Sequence, residues 1–550
     1  MKPQQTLARL SQSSVDTGLP FVKVQLKIFP NKPLTLNTGI LCRTDHYNHP
    51  AATRQTPRKQ PKSALAKRGN TVRILISTPV GRTESGQQID YFPSRWSGSS
   101  GEYKVTSFYP FSLAYLSSCL KTRTDHHVKM VDANYYGVDE DEYVDIVTTV
   151  SPDILIVEID SIVYAKQLRI FSRIRQRLPK IVIIGCGPHP TAQPQHALDN
   201  GIDFVAIGEF EQSIVNLVRS DLSPSTPGIY PNPRGPLVDI DTLPLPENDD
   251  IKRRDYCRLY GSEYREVEMW VTRGCPVMCN FCVVANVYYG RPNFRTRNLD
   301  NVIAEIRALQ RDIPALEGIF FNEEAHTFNK KYLAQLCDRL IAEGLQNELK
   351  FNCMGNYDTL DHALLSKMKS AGYYKIRIGL ESLDQDSMQV ISHTGLKSNV
   401  GKLMEVLTAC RELGIKVYGT LSVGTLGATY EKDVQTLDKV AELHRNHLLQ
   451  EFSLSINTPM VGTPFYEHCE RNGWLTRSEM DYDGNYGAIV DLPHYSADQI
   501  NRAFAYGTNV RTAINEANKA SGVHYSSYDR QWCAPVYATS QREIGTGIVK

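Results

Sequence analysis

The chain has 550 residues, more than one ordinary hydrophobic core supports, so about two to four domains are expected. Apolar residues make up 41% and charged residues 22%, a globular balance, and the formal net charge of +1 gives no global case for nucleic-acid binding. No apolar run reaches the roughly 18 residues that a membrane span needs.

Residues 1–70 hold twelve Lys and Arg against two Asp and Glu. The stretch "TRQTPRKQPKSALAKRGN" (53–70) is basic, polar and rich in helix breakers, and reads as a solvated, disordered extension. Its acid-poor Ser and Arg content leaves an organelle transit peptide as the alternative, and it has no secretory signal pattern.

From 71 to 220 the pattern alternates. "TVRILIS" (71–77), "HVKMVDA" (127–133), "DILIVEI" (153–159), "KIVIIGCG" (180–187) and "DFVAIGE" (203–209) are apolar, β-branched strand signals. Helical spacing in "SLAYLSSCL" (112–120) and "QLRIFSRIRQRL" (167–178) separates them. This predicts a doubly wound parallel sheet with ligands beyond the carboxyl ends of its strands. The stretch 78–108, with Tyr91, Phe92 and Trp96, is expected as a long loop that either covers a ligand face or lies on the surface.

Residues 221–265 are dense in Pro and Gly, as in "SPSTPGIYPNPRGP", and read as a linker. A second alternation then runs from 266 to 470. Strands "EVEMWVT", "GIFFNE", "KFNCMG", "YKIRIGLE", "KVYGTLSVG" and "EFSLSINTP" are separated by helices near 300–310, 329–343, 398–413 and 431–446, and by one that ends at Ala371-Gly372. Six β/α units predict a partial parallel barrel. Residues 471–550, rich in tyrosine ("YDGNYG", "HYSSYD"), read as a small C-terminal domain.

Nine of the twelve cysteines are scattered, as buried thiols in a reducing compartment would be, and a cytoplasmic setting is expected. The other three, Cys275, Cys279 and Cys282, stand together after the first barrel strand. A structural zinc site wants four ligands, and the nearest further cysteine, Cys257, lies well upstream. Three thiolates that hold three irons of a cluster, with the fourth iron open, fit the spacing better.

The pattern Cys-x3-Cys-x2-Cys in "TRGCPVMCNFC" (272–282), with Phe281 ahead of the last cysteine, resembles the radical S-adenosylmethionine superfamily. The resemblance implies a 4Fe–4S cluster on Cys275, Cys279 and Cys282. Its open iron would take the amino and carboxylate groups of S-adenosylmethionine, and reduction would yield a 5′-deoxyadenosyl radical. Glu323 or Glu324 in "FFNEEAHTFN" (320–329) would then face the methionine ammonium. Glu381 and Ser382 in "IRIGLES" (376–382) would approach the ribose or methionine part. Gly424 in "GTLSVGTLG" (419–427) would let backbone approach the adenine. Phe281 would shield the cluster. Relatives often carry an arginine after the third strand, where this chain has Asn356, so no cofactor role is assigned there.

"YPFSLAYLSSCL" (109–120), "VDANYYG" (131–137), "PDILIVE" (152–158), "IGCGPHPTAQPQHALDNGIDFVAIGEFE" (184–211) and "DTLPLP" (241–246) resemble the cobalamin-binding half of cobalamin-dependent radical S-adenosylmethionine enzymes. The resemblance implies cobalamin contacts from Asp132, Gly185, Gly187, Thr191 and Glu209. A tight turn after a buried strand is the plainer account of the two glycines. The carrier motif Asp-x-His-x-x-Gly is absent after the first strand, and "DANYYG" (132–137) follows the second. A corrinoid without a histidine ligand is therefore expected, with His189 a loop residue.

The expected activity is methylation of an unactivated carbon or phosphorus centre of a small molecule of natural-product, lipid or tetrapyrrole type. Methylcobalamin would be the methyl donor and a flavodoxin- or ferredoxin-like protein the electron donor. The alternatives are a cyclase or rearrangement enzyme with the same cofactors, a radical enzyme without cobalamin, and, in another class, an iron–sulfur or corrinoid sensor.

Overall fold

Two parallel sheets follow from the two alternations. They are seen in a computed structural model, which describes residues 71–80, Arg82, 89–92, 96–100, 108–256, 261–392, 394–478, Tyr482 and 487–523. The basic extension 1–70, the tyrosines beyond 523 and the side chains of Tyr91, Phe92 and Trp96 lie outside the described residues.

The first sheet contains β1 (Arg73–Ser77), β4 (His127–Val131), β5 (Ile154–Glu158), β6 (Val182–Cys186) and β7 (Phe204–Val205), in the order β4-β1-β5-β6-β7. All neighbours are parallel. Ile74, Ile154 and Ile184 enter one buried core and Leu75, Leu155 and Ile183 the other. A strand covered on both faces has no polar side, which explains the unbroken apolar runs. Chain order reverses between β1 and β5, the switch point where such sheets bind ligands. Between β1 and the first helix, β2 (Ile89–Phe92) and β3 (Trp96–Ser100) form an antiparallel ribbon where the sequence suggested only a loop.

The second sheet contains β8 (Glu266–Met269), β11 (Gly318–Phe321), β12 (Lys350–Gly355), β13 (Tyr373–Glu381), β14 (Lys416–Val423) and β15 (Glu451–Ile456). They pair in strict chain order, all parallel. Among the described residues β8 and β15 remain edges, so this is a partial (β/α)6 barrel. Ile319, Phe351, Ile376, Val417 and Phe452 pack outward under the helices. By the two-residue strand period their neighbours face the lumen. Several of these are polar: Lys375 is fully buried and lies 2.7 Å from Glu451, and Asn322 hydrogen-bonds Glu268.

Two short strands, β9 (Thr272–Arg273) and β10 (Arg295–Thr296), form an antiparallel ribbon at the barrel mouth. The Pro-rich stretch 221–265 is bound to both sheets. Tyr256 donates to Asp132 at 2.8 Å, and Arg253 pairs with Glu305 at 2.6 Å. Beyond the barrel, the helix Ala497–Ala520 packs Ile500, Ala503 and Ile514 into the barrel's outer core. No helix of the described residues is long and apolar enough to cross a membrane.

Candidate functional site

The three-cysteine loop leaves the barrel through β9 and turns at Gly274, whose φ is 97°. A Cβ there would strike the Asn293 side chain and lie 2.7 Å from its carbonyl oxygen, so only glycine fits. The loop then folds against Val390, Ile391, Ser392 and Thr394. Asn280 N–H donates to the Ile391 carbonyl at 2.7 Å, and Asn280 Nδ2 to that of Val390 at 2.7 Å. Ser392 and Thr394 hydroxyls both donate to the Val277 carbonyl, at 2.6 and 2.8 Å. Asn286 Nδ2 donates to the carbonyls of Cys279 and Cys282, at 2.7 and 2.8 Å.

Cys279 is buried and Cys275 and Cys282 are partly so, in an apolar cluster with Val277, Phe281, Ile391 and Leu396. Burial raises all three thiols, Cys282 to about 12, and like-charge interaction among them adds to the rise at Cys279 and Cys282. The N–H of Val277 supports Cys275, and those of Val284 and Ala285 support Cys282, in the opposite direction. Such thiols ionise only for a strong cationic partner, and a coordinating metal deprotonates them outright. Among the described residues no group of three or more His, Cys, Asp or Glu is placed to hold a single ion. Three mutually interacting thiols with backbone N–H groups aimed at sulfur are donors that suit an iron–sulfur cluster.

A cation faces the trio. Lys397 Nζ lies 2.9 Å from Glu381 Oε1. Burial works against the ammonium, but Glu381, Cys279 and Cys275 outweigh it and hold Lys397 above its ordinary range. Glu381 sits at a register shift between β13 and β14 with φ 55°, and Lys397 has φ 58°. Two non-glycine residues in left-handed backbone mark a site where the surroundings over-determine conformation.

The adjacent glutamates after β11 diverge. Glu323 is fully buried; its Oε2 accepts from Val271 N at 3.1 Å and its Oε1 lies 2.5 Å from His326 Nδ1. His326 Nε2 in turn reaches the Tyr373 hydroxyl at 2.9 Å. Glu324 Oε2 accepts from Gly274 N at 3.2 Å, and its charge is felt at Cys275. Glu324 therefore fronts the thiol loop, whereas Glu323 is committed to the core. Ser382 turns to its own loop, accepting from Asp384 N at 3.1 Å beside the Thr436 hydroxyl. Gly424 N donates to Asp433 at 2.9 Å, and a Cβ there would meet Ile500 at 3.0 Å. Asn356 accepts from Asp358 N at 3.0 Å.

At the first sheet, Gly187 has φ 95°, and a Cβ would lie 2.9 Å from the Ile159 backbone. The short helix Pro188–Ala192 begins there, where the sequence suggested a loop. A Cβ on Gly185, inside β6, would lie 2.9 Å from the Ile202 side chain, so packing within the sheet accounts for this glycine. Thr191 Oγ1 accepts from Gly208 N at 3.0 Å. His189 is fully buried, stacked on Tyr164 at 3.7 Å and 3.0 Å from Ser161 Oγ; burial lowers it to about 3, so it is neutral. Asp132 is also enclosed: its oxygens accept from Thr78 and Tyr256 hydroxyls at 2.8 Å and Tyr135 N at 3.0 Å. In open parallel sheets ligands sit beyond the carboxyl ends of the strands at the switch point, which here lies between β1 and β5.

Glu209 goes elsewhere. It pairs with Arg295 at 2.8 Å and with Arg273 at 3.3 Å, two residues before Cys275. Arg273, Arg295 and Lys397 were not singled out from the sequence. Arg273 at least stood inside the quoted motif, whereas nothing local marks Lys397.

Comparison with known proteins follows the same two halves. The radical SAM superfamily profile matches residues 269–440 and the B12 binding domain profile residues 105–218. The chain is 24% identical over 396 residues to bacteriochlorophyllide d C-8(2)-methyltransferase of Chlorobaculum tepidum, covering 68% of this chain and 79% of that one. It is 25% identical over 369 residues to the anaerobic magnesium-protoporphyrin IX monomethyl ester cyclase of Rubrivivax gelatinosus, covering 63% of this chain and 64% of the cyclase. The fold is similar to that of the radical S-adenosylmethionine methyltransferase TsrM from Kitasatospora setae with cobalamin and a [4Fe-4S] cluster bound. The TM-score is 0.61 at 14% identity, over 87% of this chain and 99% of that one.

Proposed function

We propose that this chain, which matches the radical SAM superfamily profile over residues 269–440 and the B12 binding domain profile over residues 105–218, is a methylase. It acts on an unactivated carbon or phosphorus centre of a small molecule. Its cofactors are a 4Fe–4S cluster, S-adenosylmethionine and cobalamin. When bound, the cluster and S-adenosylmethionine supply a 5′-deoxyadenosyl radical that removes a substrate hydrogen, and cobalamin supplies the methyl group.

The chain's own residues bind, orient and exclude water. Cys275, Cys279 and Cys282 would hold the 4Fe–4S cluster through their thiolates and leave it open to S-adenosylmethionine. Lys397 pairs with its carboxylate, and Glu324 and Glu381 take its ammonium. Phe281, Val277, Ile391 and Leu396 keep water from the thiol loop. Gly187 and Thr191 border the corrinoid site through backbone, since a Cβ on Gly187 would meet Ile159 and Thr191 Oγ1 already accepts from Gly208 N. We assign no direct contact to Glu323, Ser382, Gly185, Asp132 or Glu209, whose polar atoms or added volume are taken up inside the protein; Gly424 shapes the adenine end through backbone alone.

The observation that carries this reading is the Lys397–Glu381 pair at the buried thiol trio, a charge arrangement suited to an amino acid zwitterion and of no use to a sensor. The substrate is a tetrapyrrole or another small molecule, as the two relatives suggest. The reducing electron comes from a flavodoxin- or ferredoxin-like donor, in the cytoplasm. The identity to the cyclase favours a second reading, oxidative ring closure with the same cofactors.

Anaerobically reconstituted protein, reduced with dithionite in the presence of S-adenosylmethionine, should release 5′-deoxyadenosine. A product that gains one CH2 in mass identifies methylation and one that loses hydrogen identifies cyclisation. Absence of both cluster and 5′-deoxyadenosine would overturn the assignment.

A further inference from the structure

The ribbon that opens the thiol loop contains an internal conflict. Arg273 on β9 and Arg295 on β10 are register partners. Like charges directly opposite on such a ribbon repel. Arg273 is only 3% exposed, so water does little to screen it. The neutralising charges come from the first sheet's side, from Glu209 and Glu211 just beyond β7. Arg273 Nη1 lies 2.7 Å from Glu211 Oε1 and 3.3 Å from Glu209 Oε1. Arg295 straddles Glu209, at 2.9 Å through Nη1 and 2.8 Å through Nη2.

The Arg273 guanidinium also touches aromatic rings of both halves. It lies 4.9 Å from the Tyr115 ring, on the helix Phe111–Arg123, and 5.3 Å from the Trp270 ring, at the end of β8. Glu209 follows Gly208, which donates to Thr191 in the corrinoid crevice. Thr191, Gly208 and Glu209 are thus joined to Arg273 by one hydrogen bond, one peptide bond and one ion pair, and Arg273 is followed directly by Gly274 and Cys275.

We propose that Arg273 is a positioning residue that couples the two cofactor sites: Glu209 and Glu211 neutralise the arginine pair and tie the entrance of the thiol loop to the first sheet. Movement of the 187–208 wall on cobalamin binding is transmitted to Cys275, and the coupling is reciprocal. This rests on the cofactor assignment above.

The test uses the full chain with its cluster reconstituted anaerobically. The dissociation constant of S-adenosylmethionine is measured with and without hydroxocobalamin, and the electron paramagnetic resonance signal of the reduced cluster is recorded in both states. In wild-type protein hydroxocobalamin should tighten S-adenosylmethionine binding about fivefold or more. Glu211→Gln should remove that gain and the accompanying signal change, with iron content and hydroxocobalamin affinity within about twofold of wild type. Arg273→Lys keeps the charge but lacks the fork that spans two carboxylates, and should retain only part of the gain. It is also the variant read if Glu211→Gln does not fold. Loaded wild-type protein with no gain, any gain in Glu211→Gln or an undiminished gain in Arg273→Lys would overturn the coupling alone. Wild-type protein that takes up neither cofactor would overturn the cofactor assignment and the coupling with it.

Discussion

Glu381 and Lys397 meet at 2.9 Å with both backbones in the left-handed region, at φ 55° and 58°. Neither is glycine, so each conformation costs roughly 1–3 kcal/mol and persists because the surroundings hold it. Gly379 makes the meeting possible: a Cβ there would strike Lys397 Nζ and lie 2.5 Å from Glu381 Oε1. Lys397→Met would leave Glu381 without its partner and the bound carboxylate without a cation. S-adenosylmethionine affinity should fall about ten- to hundredfold, the equivalent of about 1.5–3 kcal/mol for a charged hydrogen bond. Equilibrium dialysis on reconstituted protein checks this, and unchanged affinity would remove Lys397 from the site.

The neighbouring glutamates should separate by readout. Glu324→Gln is expected to weaken S-adenosylmethionine binding and leave thermal stability near wild type. Glu323→Gln is expected to do the reverse, at a cost of about 1–3 kcal/mol, because it disturbs a buried bond network through His326 and Tyr373. Identical behaviour of the two variants in both assays would show that their division of labour is wrong.

Gly274→Ala should prevent cluster loading, since the added carbon meets Asn293 side chain and backbone at a φ of 97°. Gly395→Ala, at φ 71° with open space around it, is the control and should cost about 1 kcal/mol with loading retained. Iron and sulfide content per chain is the measurement. Full loading of Gly274→Ala would contradict the packing argument.

Asp433 predicts a pH dependence. Burial, only partly offset by bonds from Tyr495 and Gly424, raises its carboxyl from 3.8 to about 6. A carboxyl raised on folding adds stability at low pH, and this is lost as pH rises through about 6. Asp433→Asn keeps an acceptor for both donors and avoids the buried charge. It should raise the melting temperature at pH near 8, by the equivalent of about 1–3 kcal/mol, with the difference shrinking towards pH 4. Melting curves across that range decide it; a difference that grows on acidification would reverse the sign.

Both sheets were legible because their signals are local. Alternate residues of each strand feed opposite faces, so Leu75 and Ile76 enter different cores and the run reads as one apolar block. The short ribbons were not legible. The ribbon of β2 and β3 and that of β9 and β10 carry no apolar periodicity, and pairing between positions such as Thr272 and Thr296 leaves no local trace. The 24-residue helix Ala497–Ala520 was hidden because its buried side chains are mostly small or polar.

The sequence by itself determined the cysteine trio, the alternation that builds two parallel sheets, and the glycine-rich turns, because each depends on neighbours along the chain. Only the tertiary structure decided which glutamate fronts the thiols, that Lys397 stands opposite them, and that Glu209 reaches across to Arg273 instead of the crevice. Those choices depend on where a side chain finds its counter-charge once water is gone. The partners lie 16 residues apart for Lys397 and Glu381 and 64 for Arg273 and Glu209, distances over which sequence pattern carries no geometry.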